Sequence, residues 1–222
     1  MGIYYIQIFE NEWVSKSNIV KSIIRNKLKI NDTIYARNCS LKEISYNDAN
    51  NFLSTNHIQG STVSKVNIGL FSKNKLYAVG TFGKYRFNKT GYKQNEWELL
   101  RFCNIINFTV VGGFQKILSY FEKTYTPKKI ISFVDIRYFN GFGYLQCKFL
   151  IDKITSPDYF YFKNNKNKYN LLHRINFQKH KLKNKLDSFD STKTEYENMI
   201  SNGYLRIFDA GNLKMIKTLT SP

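Results

Sequence analysis

The sequence predicts an α+β fold: a mixed, mostly antiparallel central sheet flanked by helices. A small strand–helix appendage occupies residues 1–32, the core 33–165, and a basic helical and hairpin extension 166–222. Three observations predict this. Residues 96–149 read strand, glycine turn, helix, strand, polar turn, short helix, and the two apolar runs 99–106 and 130–136 are short and rich in Ile, Val and Phe. Two such runs separated by a helix-length segment are the mark of a crossover between adjacent buried strands. The region ahead of this unit carries short alternating segments joined by a hairpin signal, and the region after it is dominated by lysine. In a crossover unit function gathers at the strand ends. There Gly112-Gly113 opens the first helix, and Asp135, Arg137, Tyr138 and Asn140 follow the second strand.

Composition bounds the partners. Hydrophobic residues are 42% and aromatic residues 16% of 222, enough for a core. A formal net charge of +18 favours a polyanionic partner, DNA ahead of RNA, although a general bias toward Lys, Asn, Ile and Tyr also raises it. Cys39, Cys103 and Cys147 are scattered and odd in number, which suits reduced thiols in a cytoplasm better than a disulfide framework or a zinc ribbon. No apolar run approaches the ~20 residues of a membrane helix, and no basic-then-apolar leader is legible. The expectation is a cytoplasmic protein without a membrane partner or a bound metal.

In chain order, 3–9 reads as a strand and 17–28 as an amphipathic helix with Ile19, Val20, Ile23, Ile24 and Leu28 on one face. Asn31-Asp32 breaks the pattern, and 34–44 alternates as the first core strand. A short helix over 48–53 leads to the loop Asn56-His57-Ile58-Gln59-Gly60, where His57 is a candidate base, with a solvated turn histidine the equal alternative. Strands 65–71 and 76–82 form a hairpin around Ser72-Lys73-Asn74-Lys75. Lys84, Tyr85, Arg86, Phe87 and Lys89 then interleave cations with aromatics, as a surface that neutralises phosphates and stacks on a base would.

After the central unit, 150–154 and 158–163 read as a closing hairpin around Thr155-Ser156-Pro157. Residues 163–185 hold eight cations and no acid, among them Arg174, Lys179, Lys181, Lys183 and Lys185. Read as a helix along a phosphate backbone, with Ile175 and Leu182 inward, they are the strongest nucleic-acid signal in the chain. A capped helix over 192–200 and a hairpin of 204–208 with 213–217 complete the tail.

This order of elements resembles that of GNAT-type acyltransferases. In that fold the pyrophosphate of acyl-coenzyme A rests on backbone amides at the helix start after the fourth strand, because a helix N-terminus offers unpaired N–H groups and a positive dipole end. The resemblance places it at Val111, Gly112, Gly113, Phe114, Gln115 and Lys116, with Asn140 beside the cofactor, and implies acetyl-CoA or a related acyl-CoA. The chain departs from the family signature in having Thr109-Val110-Val111-Gly112-Gly113 where an Arg or Gln precedes a Gly-x-Gly/Ala pair, and in Lys148 where the Gly-Phe turn ending the helix after the fifth strand has glycine.

Several blocks together, FENEW, IYARNCSLKEI, NHIQG, EWELLRFCN, VVGGFQK, FVDIRYFNG, NFQKHKL and NGYLRIFDAGNLK, are similar to the C-terminal portion of phage homing-endonuclease-like proteins. The central part resembles the phage Mom-type DNA-modification proteins, GNAT relatives. That resemblance implies acyl-transfer-like modification of a DNA base, with Asp135 or His57 as base and Tyr138 or Tyr144 protonating the leaving thiolate. Arg137 joins the nucleic-acid surface. The competing class is a non-catalytic module that grips nucleic acid or a host protein. A nuclease ranks third, since no carboxylate triad with a following lysine is legible.

Overall fold

The computed structural model describes residues 5–86, 92–164 and 170–219, with backbone alone for 86 and 92–94. In order these form α1 (Glu10–Ser15), α2 (Ser17–Lys27), β1 (Asp32–Tyr35), a 3-10 turn (Ala36–Asn38), β2 (Ser40–Glu43), α3 (Tyr46–Asn56), β3 (Val66–Ser72), β4 (Lys75–Arg86), β5 (Tyr92–Asn104), β6 (Phe108–Val111), α4 (Gly113–Tyr125), β7 (Lys129–Asp135), α5 (Phe142–Gln146) and β8 (Leu150–Ile154). Then come β9 (Tyr159–Lys163), β10 (Leu172–His173), a second 3-10 turn (Arg174–Asn176), α6 (Lys179–Leu182), α7 (Glu195–Ser201), β11 (Tyr204–Phe208) and β12 (Asn212–Thr218).

The central sheet has seven strands in the order β2-β3-β4-β5-β7-β12-β8, antiparallel at every junction except the parallel β5/β7 pair. It is the mixed, mostly antiparallel sheet with flanking helices that the sequence predicts. The β3/β4 hairpin closes through Lys73 and Asn74, both at positive φ, as a two-residue turn matched to strand twist requires. Helix α4 lays Ile117, Leu118 and Phe121 against the sheet, and Phe121 stacks on Phe82 at 3.7 Å between ring centroids.

Four local readings are corrected. Of the predicted strand 3–9, residues 3 and 4 lie outside the described residues, 5–9 form no strand, and the acidic turn after them is helix α1. The stretch 34–44 is two strands in different sheets: β1 pairs with β6, β2 with β3, and the Lys116 ammonium binds the carbonyls of Ala36 and Cys39 at the break. The two predicted closing hairpins do not form. Strand β8 pairs with β12 in the central sheet, whereas β9 lies between β10 and β11 in a separate three-stranded sheet. The reason is packing: Tyr161 of β9 belongs to a second core with Phe177, Leu182 and Met199, while Leu213 and Met215 of β12 belong to the central one. The chain crosses between the two sheets twice, at 155–158 and 209–211, and there a Cβ on Gly211 would collide with the Thr155 carbonyl oxygen. The long basic helix is absent as well. Residues 172–182 make a two-residue strand, a 3-10 turn and a four-residue helix, with Leu182 buried and Ile175 exposed.

Candidate functional site

The site begins with a defect in the sheet. Opposite Thr81 and Phe82 of β4, β5 offers Leu99, Leu100 and Arg101, so Leu100 is an extra residue, a β-bulge that bends the strand. On its other side β5 pairs with β7 only from Glu96↔Lys129 to Glu98↔Ile131, and beyond that register the two strands separate. Carbonyls left at the fork find other donors. The Ser132 hydroxyl lies 2.9 Å from the Leu99 carbonyl oxygen, and the Arg101 guanidinium donates to the Leu100 carbonyl at 2.7 Å.

Between the separated strands opens a cavity of about 490 Å³. Leu100–Ile105 form one wall and Phe133–Asp135 the other; α5 and its Asn140-Gly141 entry close one end. The roof is α2, through Ile19, Ser22, Ile23, Asn26 and Lys27, so the predicted N-terminal appendage is part of the site. Phe133, Phe139 and Phe142, each at least 40% exposed, line it too.

Of the four predicted catalytic residues, His57, Asp135 and Tyr144 line this cavity, and they differ in what they can do. The hydroxyls of Tyr144 and Ser132 share a hydrogen bond of 3.1 Å at the fork. Burial raises the Tyr144 pKa, against the pull of Ser132 and Arg101, so the phenol stays protonated at neutral pH. His57 caps the end of α3, and its Nδ1 accepts the Gln59 amide at 3.1 Å, leaving the proton on Nε2. Burial, with the Arg101 and Lys16 cations, pushes it down to about 3. Such an imidazole is neutral and non-basic at pH 7.

Asp135 and Tyr138 enter a network the sequence did not foretell. Arg137, 7% exposed, binds Asp135 through Nε (3.2 Å) and Nη2 (2.9 Å) and grips Glu12 of α1 with both terminal nitrogens, at 2.9 and 3.1 Å. The same Glu12 accepts the Tyr138 hydroxyl at 2.7 Å and the Phe9 amide at 3.1 Å. Tyr138 is fully buried, and burial and Glu12 raise its pKa further. The geometry gives these residues the task of fastening α1 to the end of β7. Assigning Arg137 to a nucleic-acid surface is therefore corrected: its guanidinium is buried and occupied.

The predicted cofactor cradle lies at the start of α4. Gly112 is the N-cap at φ +75°, no side chain caps the helix, and the first amide bonded back is that of Lys116 to the Gly112 carbonyl. The amides of Gly113, Phe114 and Gln115 thus precede the first intrahelical bond. Beside them a shallow cavity of about 380 Å³ is lined by Tyr35, Arg37, Val111, Gly112, Gln115 and Lys116, and Phe114 reaches the larger cavity. Lys116 spends its ammonium on the two carbonyls of the 3-10 turn. Arg37, stacked on the Tyr35 ring at 5.0 Å, is a cation the sequence reading missed, because only the β1/β6 pairing brings it to α4. Asn140 accepts the Phe142 amide at 3.2 Å and shapes the α5 entry.

The predicted nucleic-acid residues are scattered. The Lys84 ammonium sits 3.7 Å from the Trp97 ring centroid, Tyr85 is half-buried, and the side chain of Arg86, with 87–89, lies outside the described residues, as do Lys166 and Lys168. Arg174 pairs with Asp158, Lys181 donates to the Ile175 carbonyl at 2.7 Å, and Lys185 covers the Phe177 ring; Lys179 and Lys183 are exposed. No group of metal-ligating side chains occurs among the described residues, and none of their helices is long and apolar enough to cross a membrane.

No protein-family model matches the chain, and no curated protein matches it. Among solved structures it is similar to a Bacillus subtilis acetyltransferase in complex with CoA, at 14% identity and TM-score 0.43 over 82% of this chain and 98% of that one. It is also similar to a GNAT family acetyltransferase from Elizabethkingia anophelis with acetyl-CoA bound (15%, TM-score 0.42, 82% and 99%) and to an IAA acetyltransferase from Bacillus cereus (11%, TM-score 0.42, 82% and 99%).

Proposed function

We propose that this chain transfers an acyl group from a coenzyme A thioester to an amine of a nucleic-acid base. The observation that carries the reading is the fork itself: a bulged β5 parting from parallel β7 around a cavity of about 490 Å³, with the uncapped start of α4 beside it. The residues fit the cofactor. The amides of Gly113, Phe114 and Gln115, with Arg37, suit its phosphates, and the cavity suits an extended thioester arm. When bound, the coenzyme supplies an activated acyl carbonyl.

The chain's own residues orient, desolvate and move a proton. Past the bulge, every second residue of β5 turns its N–H away from β4 and toward the fork, where an amide can donate to a developing oxyanion. Tyr144, protonated and held at the fork by Ser132, is placed to give its proton to a departing thiolate. Among the described residues lining the cavity, Asp135 is the only carboxylate and is held by Arg137, while Lys27, Arg101 and non-basic His57 complete the ionisable set with Tyr144 and Cys103. This set gives an ammonium substrate neither a counter-charge nor a base. An amine already neutral at pH 7, such as that of a nucleobase, needs no proton removed before it attacks; the proton its nitrogen sheds on acylation replaces the one Tyr144 gives to the thiolate, and the exposed phenylalanines offer the base stacking faces. The charge of +18 suits the polyanion that carries it.

The test is calorimetric titration with acetyl-CoA, followed by thiol release in the presence of single-stranded and duplex DNA. Binding, with DNA-dependent release that Tyr144→Phe lowers by about a hundredfold in kcat at unchanged coenzyme affinity, is expected. A chain that ignores the coenzyme yet binds DNA in a salt-sensitive way would instead be the non-catalytic module.

A further inference from the structure

The two outer strands of the central sheet differ sharply. At one edge β2 presents Ser40, Lys42 and Glu43, the polar edge that discourages strand addition. At the other, every residue of β8 is exposed, with Leu150 at 73%, Ile151 at 49% and Ile154 at 66%. Ile154 lies opposite Leu213 and Ile151 opposite Met215, so both isoleucines share the face of two core residues and continue that layer past its cover. Among the described residues no strand pairs with the outer side of β8.

We propose that β8 is the seam of a homodimer, pairing antiparallel with β8 of a second copy. The strand is self-complementary in one register. With Asp152 opposite Lys153 of the second copy, Ile151 faces Ile154 and Leu150 faces Thr155, each pairing occurring twice about the two-fold axis. Sliding the axis half a residue either way sets Asp152 against Asp152 or Lys153 against Lys153, so charge as well as hydrophobicity selects the register. The Asp152 carboxylate already receives Lys214 at 2.8 Å, which holds it at the strand while Lys153 approaches from the other copy. The bulge where β12 skips Asp152 bends the strand at the seam and keeps the pairing short. A strand that pairs with its own copy about a two-fold axis is used up in the dimer, and the polar β2 edge offers the central sheet no second apolar seam, so the assembly closes at two. Because each copy is strongly cationic, association strengthens as salt screens the long-range repulsion.

Sedimentation equilibrium of the full chain over a range of concentrations tests this. The expected result is a reversible dimer, with Asp152→Lys and Ile154→Lys each weakening association by at least about tenfold. The charge-reversed pair Asp152→Lys with Lys153→Asp restores it, and thermal melts report that each variant is folded. A wild-type chain that stays monomeric throughout, or a dimer indifferent to either single change, overturns the proposal.

Discussion

Arg137 has the sequence context of a surface cation, three residues from Asn140-Gly141 in a chain full of basic groups. Its burial follows from Glu12, 125 positions away, whose carboxylate faces it across the α1 contact. Asp135 and Tyr138 were legible as residues at a strand end, the right place, but a role depends on which group occupies the carboxylate or hydroxyl, and spacing along the chain does not reveal that. Removing Arg137 would leave the largely buried Asp135 carboxylate without its counter-charge and Glu12 with only the Tyr138 and Phe9 donors, the costly way to break an ion pair. His57 gives a prediction at this scale. Its folded pKa is about 3 against an ordinary 6.5, so between those values the unfolded chain binds the extra proton. Its contribution is intact above pH 6.5 and is lost as pH falls toward 3, at up to about 1.4 kcal/mol per pH unit. Urea denaturation at several pH values should show that slope in the wild type and a shallower one in His57→Gln; equal slopes would mean that His57 is protonated freely in the folded state.

Among the elements, the crossover of β5, α4 and β7 was legible because its information is local: apolar runs of strand length, a glycine pair at the helix start, and helix periodicity between. Gly112 is needed there for its backbone. An added Cβ would meet nothing nearer than Ala36 Cβ at 3.8 Å, so Gly112→Ala costs the left-handed conformation alone, about 1–2 kcal/mol in a urea melt. If the amides it presents hold the coenzyme, the same variant binds coenzyme A more weakly; unaltered affinity would remove α4 from the site. Helix α2 was recognised as amphipathic, but its polar side was given no role. Ser22, Asn26 and Lys27 on that side face the cavity, and hydrophobic periodicity alone does not distinguish a solvated flank from a site wall. The Leu100 bulge has no sequence mark at all, since it is a mismatch between two strands and belongs to neither.

For the molecule as a whole, β12 is the decisive piece. It runs between β7 and β8 and contributes Met215, fully buried, to the central core, although only eleven residues remain from its start to the end of the sequence. A chain truncated before Asn212 should lose cooperative unfolding by circular dichroism, because its absence bares both neighbouring strands and opens the core. A truncated chain that melts like the full one would mean that β12 only decorates the sheet. The sequence by itself determined the α+β class, the element types of the central unit, its crossover and the glycine-led helix start, since these rest on periodicity and on φ preferences acting within a few residues. The tertiary structure alone decided which strands share a sheet, that Arg137 is structural, and that α2 roofs the cavity. Strand pairing and the occupancy of a charged group are contests among segments far apart in the chain, settled by burial and hydrogen bonding when all are present at once.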